Sequence, residues 1–462
     1  MANDRSHSQL FSPSFPTRYL PSVIIPHSFV AGRPTNLGYA IFLVTWVPIV
    51  CSVYLILFAF GVVDRFPSEE GLVHWDAVFY KSIVYNGYQY ADGALANAAF
   101  FPFFAYVWKV SGLGGFGISV LNGCVFFVSL YGACVLLKPR LPLLALFLSL
   151  PALCFLYLPL SEAWFFAFGV LLLYGIVRQR YWMVFVALLM AGLTRPTCWF
   201  LIPALVGMEL MTRPKKETSH WRVWWKVLSW YILPLGIALL GFALLQYVAV
   251  GEPFAYYKTQ SATWGRAFGF PVFPLGNNLR NDVELLRGVN LWVGMLAAAF
   301  GLAWLYDWLL RDRLPRGVRP IDLLAVIYLC MCLVSILFFN PEWNWIGAGG
   351  YGATVLTGIN RYTQPNPFLL VFLIWIFERP AIDLRYLAVI FLATHLLWFA
   401  LDLKYYDHIQ RYLRVSSVTL ILLPYWACYF FRVQWLFYTV ALLAVAWQSR
   451  MLWLFMTGVQ VD

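Results

Sequence analysis

Long apolar runs recur along the whole chain and constrain its fold more than any other feature. Eight runs hold 17 to 27 residues, and a helix of about that length crosses a bilayer core of ~30 Å. They occupy residues 37–63, 115–137, 141–158, 227–250, 289–309, 321–339, 385–401 and 414–431. Unpaired backbone groups are too costly in hydrocarbon, and the alternating pattern of a barrel strand is missing, so the spans are expected to be helices.

Shorter apolar runs raise the expected number of spans to between ten and thirteen. They occupy residues 162–177, 181–193, 198–211, 366–377 and 433–449. Only 11% of the residues are charged and 62% are hydrophobic, whereas an ordinary soluble domain has roughly 25% charged residues. The sequence therefore predicts an all-α, polytopic membrane helical bundle.

The net charge of +11 could indicate a nucleic-acid partner, but the basic residues alternate with the spans instead of forming one face. Four polar segments together hold thirteen Lys or Arg against two acids, Glu217 and Asp312. These segments are 138–140, 178–180, 213–226 and 311–319. Such an excess of basic residues is typical of cytoplasmic loops, so we expect topology to explain the charge and no nucleic acid to bind.

The cysteines and the first residues of the chain give only broad expectations. All eight cysteines lie in or beside apolar runs without paired spacing, so we expect packing residues and neither a disulfide framework nor a zinc site. Residues 1–36 are polar and rich in Pro and Ser, without an apolar core followed by a cleavage site. They are expected to form a cytoplasmic tail.

With this orientation, the remaining polar clusters all fall on the opposite, outer face. The outer segments are 64–99, 159–162, 194–196, 251–287 and 340–365, and the first has five acids against two bases. Polar groups that only keep loops hydrated would show no preference for one side. The distribution therefore predicts a functional site at the outer end of the bundle.

The stretch "HWDAVFYKSIVYNGYQY" (74–90) contains Asp76. Apolar Trp75, Val78, Phe79 and Ile83 follow near-helical spacing, which favours an amphipathic segment at the membrane surface. A carboxylate held beside aromatics can accept a proton from a hydroxyl, as a general base must. The alternative is that Asp76 only caps a helix within an aromatic belt.

Glu162 and Arg195 border apolar spans, where an ionisable group costs ~2.5–3.5 kcal/mol on insertion scales and is a functional candidate by default. A mutual ion pair is the structural alternative. Pro196 follows Arg195 and breaks the run 181–211 into two short pieces. Broken helices are tolerated where they line a cavity, although a simple kink explains the proline equally well.

Two further segments can bind a sugar phosphate. Arg361, in "GINRYTQPNPF", can hold a phosphate through two parallel hydrogen bonds or snorkel without a ligand. The stretch "GEPFAYYKTQSATWGR" (251–266) has the composition of a sugar site or of an interfacial aromatic belt. Its candidate residues are Tyr256, Lys258, Gln260, Trp264 and Arg266.

Nucleotide chemistry has little support. No phosphate-binding loop motif occurs, and no soluble segment is long enough for a nucleotide-sugar fold. The glycines of "GAGGYGATVLTG" (347–358) lack a preceding strand and are expected to form a flexible outer loop.

The order of these motifs resembles the membrane glycosyltransferases of the GT-C class, most closely the PIG-V-like family that includes GPI mannosyltransferase 2 and bacterial relatives. The resemblance covers residues 64 to 367 and depends on five motifs in order. They are "HWDAVFYKSIVYNGY" with "AFFPFFAY", "SEAWFF", "LTRPT", "GEPFAYYKTQSATWG" and "NRYTQPNPF". The chain departs from the family pattern at His74 and Ala105 and lacks the Gly that often follows the TR element, which bears on substrate identity more than on reaction class.

The resemblance implies a GT-C-like catalytic module at 37–380, with a short amphipathic outer loop after the first helix, while residues 381–462 add only helices. It implies inverting transfer of a sugar, typically mannose, from a polyprenyl-phosphate donor to a lipid or glycan acceptor on the outer or lumenal face. Asp76 is the implied base, and Arg361 and Arg195, with Lys81 a weaker candidate, bind the donor phosphate. His74 either supports Asp76 or binds phosphate. The residues implied for the sugar or acceptor site are Trp75, Tyr88, Glu162, Gln260, Trp264 and Tyr362.

Other classes of function stay open. A transporter or flippase for a lipid-linked or anionic substrate would also gather charges around a cavity, but should show repeats and midplane charges, and no convincing repeat is found. A scaffold subunit would need no converging carboxylate and arginines. The sequence identifies no cofactor and no protein partner, and carboxylates alone do not decide whether the reaction depends on a divalent metal. Short polar ends without a retrieval signal favour a bacterial inner membrane, with the endoplasmic reticulum membrane as the alternative.

Overall fold

The computed structural model describes residues 33–218, 221–262, 266, 268–277, 279, 281–312, 314–315, 317–339, 354–378, 384–401, 410, 412–419 and 434–461. Within these residues the chain is helical throughout and contains no strand. The expected tail before residue 33, most of the expected span 414–431, the glycines before residue 354 and Trp264 lie outside the described residues.

The helices of the first half of the chain follow the predicted runs closely. They are α1 (Asn36–Ala59), α2 (Asp76–Asn86), α3 (Pro102–Ser111), α4 (Gly115–Leu137), α5 (Leu141–Leu148), α6 (Glu162–Val177), α7 (Tyr181–Thr194), α8 (Leu201–Met211), α9 (Lys215–Thr218), α10 (Trp221–Lys226) and α11 (Leu233–Val250). A π-helical segment, Val227–Ile232, joins α10 to α11. Short 3₁₀ helices occur at Asn97–Ala99, Pro151–Leu156 and Pro196–Phe200.

The second half of the chain continues the bundle. Its helices are α12 (Ala255–Ala262), α13 (Asp282–Arg311), α14 (Pro320–Phe339), α15 (Ile359–Thr363), α16 (Pro367–Phe377), α17 (Leu384–Ala400) and α18 (Gln434–Met456). Side chains fix two of the helix starts. Asn281 accepts hydrogen bonds from the first free N–H groups of α13, and Asn366 does the same for α16, as N-cap residues do.

Six helices in the described part of the chain are long and apolar enough to cross a membrane, and five more are apolar but shorter. The long ones are α1, α4, the continuous helix Trp221–Val250, α13, α14 and α18. Several long apolar helices make the chain a multi-pass integral membrane protein, which confirms the coarse prediction.

The expected single span at 141–158 is wrong. α5 ends at Leu148, and a 3₁₀ helix begins at Pro151, because proline restricts the residue before it and cannot continue the hydrogen-bond ladder. The side chains of both pieces are almost completely buried in the protein. The run is apolar because it fills the core, and not because it crosses the membrane as one helix.

The bundle has central and peripheral helices. The most apolar window of α13 is 72% buried, whereas that of α1 is only 17% buried. The main core packs α4, α6, α7, α8, α13, α14 and α16 against one another. Hydrophobic residues on α1 and α11 are left exposed, as expected for helices that face lipid.

The four basic segments lie together at one end of the bundle, here called the basic end. The backbone N–H of Lys215 donates to Asp312 over 2.8 Å, and the ammonium of Lys226 lies 5.0 Å from the ring centroid of Tyr181. The backbone N–H of Arg140 donates to the carboxylate of Glu378, the C-cap residue of α16. The sequence prediction that these segments share one face is consistent with this arrangement.

The opposite end, here called the pocket end, begins with the loop between α1 and α2. The carboxylate of Glu69 accepts hydrogen bonds from the backbone N–H groups of Gly115 and, over 2.8 Å, Phe116. The bonds cap the N-terminus of α4. A Cβ atom on Gly114 would lie 2.7 Å from a carboxylate oxygen of Glu69, so a larger residue there would displace the end of the Glu69 side chain.

Candidate active site

Asp76 begins α2, and its carboxylate points to the rest of the site instead of capping the helix. The N-cap residue is Trp75, which makes no side-chain cap bond and has a φ of +54°, an unusual value for a bulky residue. Trp75 and Asp76 both line a cavity at the pocket end. Arg361 donates a hydrogen bond from Nη1 to Oδ2 of Asp76.

Tyr80 lies one turn after Asp76 and connects α2 to the segment that precedes α6. Its hydroxyl donates to Oγ of Ser161 over 3.1 Å. Burial raises the pKa of Tyr80, so the phenol stays protonated as a donor. The predicted amphipathic helix is confirmed as a helix, but its buried face consists of Ala77, Tyr80 and Ile83, whereas Val78 is half-exposed.

Glu162 begins α6, and its side chain is fully buried. Oε1 forms a salt bridge with Nη1 of Arg195 at 2.7 Å and accepts a hydrogen bond from Nε of Arg361 at 2.6 Å. Oε2 has no hydrogen-bond partner within the described residues. The expected pair of Glu162 with Arg195 is therefore present, but it is part of a larger network that includes Arg361 and Asp76.

Asn122 of α4 positions the turn that carries Glu162. Its amide donates to the carbonyl oxygens of Leu158 at 2.6 Å and Leu160 at 2.9 Å. Its side-chain oxygen accepts from the indole of Trp164 over 3.1 Å. Asn122 is fully buried, so each of its polar atoms needs these partners.

Arg195 follows the last residue of α7 and is only 6% exposed. Its extended backbone and the following Pro196 end α7, since the residue before proline avoids the helical region. Both Arg195 and Pro196 line the cavity. The break predicted in the run 181–211 is confirmed. The residues at the break line a cavity, so it is more than a simple kink.

Arg361 lies on the short helix α15, which Gly358 begins with a φ of +90°. Its neighbour Asn360 is fully buried. The side-chain oxygen of Asn360 accepts from Asn290 of α13 at 2.7 Å, and its amide donates to the carbonyl of Val461 at 3.0 Å. Because α15 is fixed on both sides, Arg361 is held between the two carboxylates.

The cavity has a volume of about 170 Å³ and lies where all five predicted outer segments meet, except that residues 340–353 are outside the described part. Polar side chains contribute one part of its wall, namely Asp76, Ser161, Arg195, Gln260, Arg266, Thr357, Arg361, Tyr362 and Gln460. Aromatic rings contribute another part, and among them Phe79 stacks on Phe100 with centroids 5.0 Å apart. Such a mixed lining is typical of ligand sites.

Arg266 is the third arginine at this cavity. The sequence analysis named it among the candidates of the segment 251–266 but assigned it no specific role. Its Nη1 donates to the hydroxyl of Tyr362 over 2.9 Å. Within the described residues no carboxylate bonds to Arg266, whereas Arg195 and Arg361 pair with Glu162 and Asp76. Three guanidinium groups against two carboxylates leave one net positive charge, which favours an anionic ligand.

The remaining predicted residues divide into two groups. Gln260 and Tyr362 line the cavity, as predicted, while Glu162 lies behind the arginines. Gln260 has a buried side-chain oxygen without a partner within the described residues. Its amide approaches the carbonyl of Ala99 at 3.4 Å, so the oxygen is available to a ligand hydroxyl.

Lys81, His74 and Tyr88 are not brought to the cavity wall. Lys81 is five residues after Asp76, which places it on a different side of a helix of 3.6 residues per turn. The ring of His74 packs edge-on against Phe455 with centroids 6.3 Å apart. The hydroxyl of Tyr88 donates to the carbonyl of Phe100 over 3.0 Å, behind the wall.

In the described residues no group of three or more His, Cys, Asp or Glu side chains could hold a metal ion. The seven cysteines described form no disulfide; four are buried, one is partly buried, and Cys51 and Cys124 are exposed. Comparison with known proteins found no matching family model, curated protein or solved structure.

Proposed function

We propose that the protein is a membrane glycosyltransferase that moves a sugar, with mannose the first candidate, from a polyprenyl-phosphate carrier to a lipid or glycan acceptor. The observation that carries this proposal is the convergence of Asp76, Glu162, Arg195 and Arg361 at one end of the bundle, around a cavity. These residues come from four distant parts of the sequence. The motif order resembles the PIG-V-like family of the GT-C class, which supports the same reaction.

The charges of the cavity suit a phosphate-linked donor. Arginine binds phosphate through parallel hydrogen bonds, and a lipid carrier requires no nucleotide fold. Arg266 is the first candidate for the donor phosphate, because no carboxylate in the described residues bonds to it. Arg195 and Arg361 then stabilise the charge that develops as the phosphate leaves.

Asp76 is proposed as the general base. It takes the proton of the acceptor hydroxyl while the hydroxyl oxygen forms a bond to the anomeric carbon on the face opposite the phosphate. The bond from the anomeric carbon to the phosphate oxygen breaks, and the polyprenyl phosphate leaves with the electron pair. The product has the inverted configuration, and Asp76 later returns its proton to water.

The position of the basic end indicates on which face of the membrane the cavity opens. If the basic segments are cytoplasmic, as their charge predicts, the cavity opens on the outer or lumenal face. A lipid-linked donor that has crossed the membrane is available there. A bacterial inner membrane is the first candidate location.

The test is sugar transfer by the purified protein in nanodiscs. Radiolabelled polyprenyl-phosphate mannose is the donor and a crude glycolipid extract is the source of acceptors. The wild type is compared with Asp76→Asn and with Glu70→Gln, an exposed carboxylate of the same loop. We expect transfer by the wild type and the control, and a loss of about 10²–10⁴-fold in Asp76→Asn, as for removal of a general base.

Size-exclusion chromatography and thermal unfolding establish that Asp76→Asn is folded. Equal transfer by Asp76→Asn and the wild type would remove Asp76 from the chemistry. If the wild type transfers no sugar, further sugars and acceptors are supplied, and continued failure overturns the proposal. Movement of the labelled donor across a liposome membrane without transfer would instead identify a flippase.

A further inference from the structure

A second cavity lies at the pocket end, between the start of α13 and the end of α18. Its volume is about 480 Å³, larger than that of the cavity at Asp76. Its wall contains Asp282, Glu284, Arg287, Arg450, Val459 and Gln460. None of the proposed catalytic groups lines it.

The charges of the second cavity balance, unlike those of the first. Two carboxylates face two guanidinium groups, and Arg450 donates from Nε to Asp282 at 2.6 Å. The first cavity has one net positive charge and suits an anion. A wall of balanced carboxylates, guanidinium groups and amides offers many donors and acceptors without attracting net charge, so it suits a neutral ligand with many hydroxyl groups.

Gln460 connects the two cavities. It lines the cavity at Asp76, the second cavity, and a cleft of about 10 Å³ between Asp76, Arg361 and Phe455. Gln460 is therefore the residue at which the second cavity approaches the neighbourhood of Asp76.

The segment 457–461 is fixed to the catalytic region. The amide of Asn360 donates to the carbonyl of Val461, and Val461 is buried among the side chains of the second core cluster. Asn360 immediately precedes Arg361. The short helix α15 therefore holds both Arg361, which contacts Asp76, and the segment that contains Gln460.

We infer that the second cavity binds the neutral, hydroxyl-rich headgroup of the acceptor, and that Gln460 separates it from the donor cavity until the acceptor hydroxyl reaches Asp76. The role as acceptor site rests on the proposed function, whereas binding of such a headgroup does not. A reaction of two substrates needs a space for each, and the described residues provide two cavities of different charge that have Gln460 in common.

Binding is tested by thiol labelling, independently of any activity. Cysteine is introduced at the half-exposed Val459, and the protein is placed in phosphatidylcholine nanodiscs with and without mono- or dimannosyl diacylglycerol. The wild type is labelled in parallel and gives the background labelling of the native cysteines. We expect the mannosyl lipids to slow labelling of Val459→Cys at least about fivefold, in samples with or without polyprenyl phosphate, since a bound headgroup shields the site. Equal labelling in all samples overturns the inference.

Kinetics then test the role in transfer. Val459→Trp fills the cavity, and Val110→Trp makes the same exchange at an exposed valine of α3 that lines none of these spaces. We expect Val459→Trp to raise the KM for the acceptor about tenfold or more without changing the KM for the donor. An unchanged KM for the acceptor, or an equal rise for the donor, contradicts the inference.

Gln460→Ala serves as a second variant if Val459→Trp does not fold. It is expected to increase hydrolysis of the donor by water, because the partition is shortened. Unchanged hydrolysis contradicts the proposed partition. If the wild type neither transfers nor hydrolyses the donor, the proposed function fails, while the labelling experiment still decides whether the cavity binds a neutral glycolipid.

Discussion

The guanidinium of Arg361 donates a hydrogen bond to the carboxylate of Asp76, although 285 positions separate the two residues in sequence. The same guanidinium donates from Nε to Glu162 and lies 5.6 Å from the ring centroid of Phe155. This hydrogen bond occupies a carboxylate oxygen of Asp76, the proposed general base. For the proposed reaction the arrangement is therefore that of a resting site, from which Arg361 has to move before Asp76 can accept a proton.

The order of substrate binding should follow from this pair. If the donor phosphate draws Arg361 away from Asp76, the donor must bind before the acceptor can be deprotonated. We expect free polyprenyl phosphate, released last, to inhibit competitively against the donor and noncompetitively against the acceptor. Initial rates with both substrates varied provide the measurement. Competitive inhibition against the acceptor would show that Arg361 does not control the order.

Arg266 should govern affinity for the donor. A guanidinium can form two parallel bonds to phosphate and an ammonium cannot, so Arg266→Lys is expected to raise the KM for the donor about tenfold or more, with a smaller change in kcat. Lys258→Gln is the matched control, since Lys258 is an exposed residue of the same segment that pairs with Glu252. Equal donor KM values in Arg266→Lys and the wild type would exclude Arg266 from the phosphate site.

Glu162 should matter for stability as well as for activity. Glu162→Gln leaves Arg195 and Arg361 buried without their shared carboxylate, and loss of one partner from a buried pair costs about 3–5 kcal/mol. The double variant Glu162→Gln/Arg195→Gln should lose less than the sum of the single variants. Chemical unfolding in detergent gives the free energies for the cycle, with the exposed pair Glu252–Lys258 as a control. Additive losses at Glu162 and Arg195 would mean that the pair is not coupled.

Glu69 should make stability depend on pH. Hydrogen bonds from the N–H groups of Phe116 and Gly115 hold the pKa of Glu69 below its ordinary value of 4.5. The ionised carboxylate therefore stabilises the fold above that value, and the contribution is lost as the pH falls through the lower pKa of the folded protein. Glu69→Gln should lower the melting temperature near pH 7, and the difference from the wild type should shrink as the pH is lowered to about 3 and below.

The neighbouring variant Glu70→Gln is the control for this titration. Its carboxylate is exposed and has no hydrogen bond within the described residues. If the melting temperature of Glu69→Gln differs from that of the wild type by the same amount at both pH values, the hydrogen bonds to α4 do not depend on the charge of the Glu69 carboxylate.

The sequence predicted much of the candidate site because membrane topology limits where polar groups can be. Alternating basic and apolar segments assign each loop to one end of the bundle, which was enough to expect Asp76, Glu162, Arg195 and Arg361 at the same end. The proline after Arg195 predicted the break between α7 and α8. These features depend on local sequence, and the high cost of exposing backbone in lipid makes local sequence decisive.

The tertiary structure alone decided which side chains meet. Lys81 and Tyr88 belong to the right segment but face elsewhere, because the direction of a side chain depends on helix rotation and packing. Arg266 and Gln460 line the cavity, although the sequence analysis assigned Arg266 no specific role within the segment 251–266 and did not single out Gln460.

The sequence by itself determined that the chain is a bundle of membrane helices with its polar motifs at one end, because burial of apolar helices in lipid depends on composition and length. It did not determine that 141–158 is a core segment, since residues buried in protein and residues facing lipid are equally apolar. Only the packed structure decided that Arg361 bonds to Asp76 and Glu162 and that Gln460 lines two cavities. Such contacts join distant parts of the chain, and they form only when all the helices are in place.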